Sequence, residues 1–124
     1  MVYPNNALNI SVRDLARWLV ALMNERLISR KGLDTLMSPV HLKDGRVSEI
    51  SASAAYPWRG HALGGLLIAP DEQHPAVGGT GGPYAAYLLY PKDSLAVVVL
   101  TNTQESNPDS IVSDIARKYL AVAN

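Results

Sequence analysis

Apolar residues along the first quarter of the chain follow a helical period. Leu15, Trp18, Leu19, Leu22 and Met23 fall at offsets of three, four, seven and eight, which gathers them on one face of an α-helix. Ser11 stands before them as a helix cap, and Asp14, three residues on, puts negative charge at the positive helix end. The pattern predicts a helix from Val12 to Arg26 with Trp18 in the core. Ser29 caps a shorter predicted helix through Leu33, Leu36 and Met37. That helix stops near Pro39, because proline disfavours helical geometry in the residue before it.

From Val40 to Arg59 the period fades; Lys43-Asp44-Gly45-Arg46 reads as a turn and Ser51 to Ala55 as loop. Ala62 to Ala69 then reads as a strand with Gly64-Gly65 as its soft spot, followed by a turn at Pro70-Asp71-Glu72-Gln73. Three further strands are expected at His74–Gly79, Tyr84–Tyr90 and Leu95–Thr101, the last two forming a hairpin. Val97-Val98-Val99-Leu100 is apolar without interruption, which predicts a central strand with both faces covered. Asn107-Pro108-Asp109 opens a final helix with a capping side chain, a proline at the first helical position and an acid. Ile111, Val112, Ile115, Ala116, Tyr119 and Leu120 form its apolar stripe. Helices, then strands, then a helix predict one α+β domain over residues 1–124. Its antiparallel sheet has three to four strands, with the N-terminal helices and a long C-terminal helix packed on it.

Composition narrows the function. Lys plus Arg equals Asp plus Glu at 11 each, so no field steers the chain toward nucleic acid or acidic lipid. The absence of Cys removes disulfides, a thiolate nucleophile and the usual structural zinc sites. His41, His61 and His74 lie too far apart in sequence for a local ligand pair, so neither a metal nor another cofactor is expected. No apolar run reaches membrane-spanning length, and the N-terminus lacks the basic-then-apolar order of a signal peptide. No nucleic-acid or membrane partner is expected, and the compartment stays open.

The most informative segment is Val77 to Tyr90, where Gly78, Gly79, Gly81 and Gly82 run into an apolar strand. Glycines in a strand mark either a bulge or turn needing positive φ, or a place where a ligand or another backbone comes close. A phosphate loop does not fit, because no Gly-Lys-Ser/Thr follows and the segment opens a strand. Trp58, between Pro57 and Arg59, reads equally as cleft lining or packing. Tyr84, Tyr87 and Tyr90 read as sheet-face residues whose hydroxyls reach water.

Four ordered segments resemble the beta-lactamase-related serine hydrolases, the group of class C beta-lactamases, penicillin-binding DD-peptidases and related esterases. Ser11-Val12-Arg13-Asp14-Leu15-Ala16-Arg17-Trp18-Leu19 is similar to the family's S-x-x-D-L-A-x-[WF]-L helix start. Leu36-Met37-Ser38-Pro39-Val40 looks like the M-x-x-P stretch that follows. Val77 to Asn102 resembles the third motif with its hairpin, and the helix after Pro108 also fits. The resemblance implies a partial beta-lactamase/transpeptidase-like fold. It also implies that the glycine-rich strand is one wall of an active site for a small-molecule or peptide substrate.

In that family the strand motif is [KH]-[ST]-G. Carried over, Gly79 stands where Lys or His sits, Thr80 supplies the hydroxyl, Gly81 completes the motif, and the Gly82 N–H is the oxyanion donor. The resemblance thus implies that Gly79, Thr80, Gly81 and Gly82 bind substrate. Two features depart from the pattern. Gly79 carries no charge or proton, and none of the serines has Lys three residues on, so the S-x-x-K nucleophile is missing from these 124 residues. Tyr3-Pro4-Asn5 matches the family's Y-x-N literally, but it stands eight residues before Ser11 instead of far upstream. The expectation is a C-terminal portion of a serine hydrolase, inactive alone. A non-catalytic ligand-binding or oligomerisation module on the same scaffold is the alternative. Either way the expected partner is a second copy or a separate nucleophile-bearing chain.

Overall fold

A computed structural model describes residues 9–50, 57–63, 67–69 and 73–120. Helix α1 spans Val12–Met23 and begins where Ser11 Oγ accepts the Asp14 N–H. It stops short of Arg26: Asn24 closes the last turn, and Glu25 adopts a left-handed φ of 58°. Helix α2, Arg30–Met37, is capped by Ser29 Oγ accepting the Gly32 N–H. Helix α3, Pro108–Leu120, starts with Pro108 inside its first turn and Asn107 Oδ1 accepting the Ser110 N–H. All three starts satisfy a backbone donor that the helix itself leaves unpaired.

Between the helices lies one five-stranded antiparallel sheet in the order β1-β2-β3-β4-β5: Gly60–His61, Leu67–Ala69, Ala76–Thr80, Ala85–Tyr90 and Leu95–Leu100. The count exceeds the expected three to four because the expected strand Ala62–Ala69 is replaced by two short strands. Gly60 and His61 pair with Ile68 and Leu67, and the chain reverses between them. Gly64-Gly65 and residues 70–72 of the expected turn at 70–73 lie outside the described residues, as does the loop read over 51–55.

The sheet separates two apolar layers. On one side Trp58, Ala76, Ala86, Leu88, Tyr90 and Val97 pack against Val112, Ala116 and Leu120 of α3. On the other, Val77 and Leu89 pack against Leu19, Leu22 and Met23 of α1 and Leu33 of α2. Neighbouring residues Leu88 and Leu89 face opposite layers, which is the period-two alternation of a strand covered on both faces.

Two expectations are corrected here. The apolar run of β5 does have helices over both faces, yet among the described residues β5 is the last strand of the sheet rather than a central one, pairing with β4 alone. An uninterrupted apolar pattern reports coverage of the two faces and is blind to whether both edges are paired. Trp18 is 45% exposed, not core. The packed stripe of α1 runs through Leu19, Leu22 and Met23, and Trp18 falls on its flank.

Candidate functional site

The glycine-rich strand is regular. Val77, Gly78, Gly79 and Thr80 pair in sequence with Leu89, Leu88, Tyr87 and Ala86, and among these glycines only Gly82 has positive φ, at 62°. A bulge therefore does not explain Gly78 and Gly79; close approach does. A Cβ on Gly78 would run into the Tyr87 carbonyl and lie 2.8 Å from Trp58 Cη2. A Cβ on Gly79 would lie 2.7 Å from Cε1 of the Tyr87 ring. The bare strand thus receives an indole on one face and a phenol on the other.

Beyond Thr80 the backbone leaves the sheet. The Gly81 N–H donates to the Ala85 carbonyl at 2.7 Å, and Gly82 begins a single 3-10 turn, Gly82–Tyr84, before β4. No described residue lies within 4 Å of where a Gly82 side chain would project. Thr101 ties this turn to the end of β5: its N–H donates to the Tyr84 carbonyl and its hydroxyl to the Pro83 carbonyl, at 2.8 and 2.7 Å.

These elements border an open cleft of about 820 Å³. Gly79, Thr80 and Gly81 line one wall; Tyr84, Tyr87 and Thr101 continue it, and Leu15 with the segment just before α1 forms the other side. Three of the four residues assigned to substrate binding are thus brought together on its surface. The fourth, Gly82, follows directly in sequence and is exposed. Thr80 and Gly81 are exposed at this strand end, while the Tyr87 ring covers Gly79 on one face.

Thr80 is held from behind. Its hydroxyl donates to Asp109 Oδ2 at 3.2 Å, while Trp58 Nε1–H donates to Asp109 Oδ1 at 2.8 Å. Asp109 is 4% exposed and Trp58 fully buried, so Trp58 is a packing and anchoring residue rather than cleft lining. With its proton on Asp109, the Thr80 oxygen has lone pairs to present to a ligand donor.

The histidines stand apart from the cleft. His61 Nδ1 is 2.9 Å from Ser48 Oγ, His74 Nδ1 is 2.8 Å from Asp93 Oδ1, and His41 is exposed beside its own turn. Among the described residues no three His, Cys, Asp or Glu side chains gather to hold a metal. No described helix is long and apolar enough to cross a membrane. Tyr3 and Asn5 lie outside the described residues. Sequence reasoning missed Tyr87 as cleft lining and Asp109 as the anchor of Thr80. The Gly79–Tyr87 pairing follows from the hairpin register; the Asp109 contacts have no local signal.

A family model described as Beta-lactamase matches residues 1–121. Neither the curated proteins nor the solved structures compared with the chain gave a match.

Proposed function

This chain belongs to the beta-lactamase family, and from that premise we propose that it is the substrate-facing portion of a serine hydrolase acting on amides or esters, inactive alone. One observation carries the reading. Gly79 and Thr80 at the end of β3, and Gly81 just beyond it, line an open cleft beside the N-terminus of α1, with the Tyr87 ring across Gly79 and bare backbone at Gly81. A strand edge without side chains lets an acyl group approach the backbone closely. In the proposed reaction a serine from outside these 124 residues attacks the acyl carbonyl, and its proton passes to a base that is also outside them. The Gly82 N–H faces the developing oxyanion. One such donor contributes about 3 kcal/mol to the transition state. Collapse of the tetrahedral species breaks the ester C–O or amide C–N bond, and the alcohol or amine leaves with the proton that the base took. Water then attacks the acyl-serine, releasing the acid and restoring the serine. Thr80, Gly81 and Gly82 hold the acyl group in place.

The purified chain is expected to turn over neither nitrocefin nor a p-nitrophenyl ester, and to resist labelling by an acylating probe. Mixing it with the S-x-x-K-bearing half of a relative is expected to restore turnover. Robust hydrolysis by the chain alone, with one of its own serines labelled, overturns the reading.

A second reading, an assembly module, is favoured by β5. Its outer edge pairs with no described strand although helices cover both its faces. An unpaired strand edge is a template for another chain, and α1 adds exposed apolar side chains at Val12, Trp18 and Val20. A second copy or the nucleophile-bearing chain is the proposed occupant. Light scattering that shows a monomer at every dilution, with or without that chain, contradicts it.

A further inference from the structure

Register places Gly79 of β3 opposite Tyr87 of β4. The Tyr87 ring lies across the bare glycine: a Cβ built on Gly79 would be 2.9 Å from Cζ and 2.9 Å from the hydroxyl oxygen. The volume that a side chain at 79 would fill is therefore already taken, and what takes it ends in a hydroxyl. Glycine at 79 and tyrosine at 87 form one feature, in which the cleft receives its polar group from the neighbouring strand.

Three further observations bear on what that group does. Tyr87 lines the cleft, and among the described residues its hydroxyl has no hydrogen-bond partner. It is not sealed either: Asp93 Oδ2 is the side-chain polar atom among the described residues that is both fully buried and unpartnered. Burial of the ring pushes the phenol above its ordinary pKa, so at neutral pH the hydroxyl keeps its proton and can donate it. Finally, no Lys, Arg, His, Asp or Glu stands among the described residues that line the cleft. A carboxylate bound there would lose water with no cation to replace it, which is costly. A carbonyl needs only a donor.

We propose that Tyr87 is a ligand-contacting hydrogen-bond donor occupying the side-chain place of position 79, and that the cleft selects neutral esters or amides over those bearing a carboxylate. This rests on the reading of the cleft as an acyl site. Asp109 lies behind Thr80 with both oxygens engaged by Trp58 and Thr80, and it supplies no cation to the cleft.

A matched pair of probes tests it on the intact chain: N-phenylacetylglycinamide, which is neutral, and N-phenylacetylglycine, which differs by one carboxylate. Binding is followed by the amide resonances of Gly79, Gly81 and Gly82. The glycinamide is expected to bind about tenfold more tightly than the acid. Tyr87→Phe is expected to weaken the glycinamide about fivefold, the worth of one neutral hydrogen bond, and to leave the acid unchanged. The same substitution is expected to leave the thermal midpoint in place, since no protein group loses a partner. As a second variant, Gly79→Lys combined with Tyr87→Ala supplies a cation in place of the phenol and is expected to reverse the preference. Equal or tighter binding of the acid by the unaltered chain overturns the proposal, as does Tyr87→Phe binding the glycinamide like its parent. If neither compound shifts those amides at millimolar concentration, the acyl-site reading itself is wrong.

Discussion

Replacing Asp109 by Ala removes the acceptor for two donors that come from different parts of the chain. Trp58 Nε1–H, 51 residues away in sequence, is fully buried and loses a 2.8 Å hydrogen bond. An orphaned buried donor costs about 1–3 kcal/mol. Thr80 loses a 3.2 Å bond, but it is exposed, and water can replace the lost acceptor at a cost under about 1 kcal/mol. Relief of the buried carboxylate's desolvation offsets part of the sum. The expected loss is therefore about 2–3 kcal/mol. A chain of 124 residues has an unfolding entropy of about 0.26 kcal/mol/K, so the midpoint should fall by about 8–12 °C. Asp109→Asn keeps an acceptor for the indole and should cost about 1 kcal/mol or less. Helix circular dichroism, not tryptophan fluorescence, is the proper readout, because Trp58 belongs to the cycle. Trp58→Phe and the double variant close that cycle, with an expected coupling of about 1–3 kcal/mol between the two positions. Additive losses, or a midpoint for Asp109→Ala within about 3 °C of the parent, refute the reasoning.

Other substitutions separate steric from conformational causes. Gly78→Ala drives a Cβ into the Tyr87 carbonyl and the Trp58 ring and should cost about 3 kcal/mol or more in urea unfolding, splitting β3 from β4. Gly82→Ala meets open space and should cost only the roughly 1–2 kcal/mol of a left-handed φ, measured the same way. The Tyr87 phenol is held above its ordinary value of 10.0 by burial. Below that pH the phenol is protonated in folded and unfolded chains alike, and the fold is undisturbed. It loses stability as pH climbs from there through the raised folded value, because the buried site resists the phenolate. Tyrosinate absorbance should show a late step that Tyr87→Phe abolishes. Trp18, exposed on the flank of α1, should be quenched freely by acrylamide, and Trp18→Ser should change stability by under about 1 kcal/mol. Protection of Trp18 on adding a partner chain would place that partner against α1.

What the chain announces about itself in sequence is whatever depends on neighbours within a turn or two. Ser11, Ser29 and Asn107 each cap a helix because a short polar side chain reaches a donor three residues on. The family was legible in the sequence as well, from the order of its segments, and the strand pairs after the glycines of 78 to 82 form the hairpin that their apolar pattern predicts. Tertiary structure alone decided the rest, because it joins residues that no local rule connects. Trp58 meets Asp109 across 51 positions, and sheet order sets β5 at an edge despite its buried pattern. Helical period did not tell the packed stripe of α1 from the flank holding Trp18, since that depends on which elements lie beside the helix. The character of the cleft came the same way. Position 79 reads in sequence as a vacancy, and only the pairing of β3 with β4 fills it with a phenol.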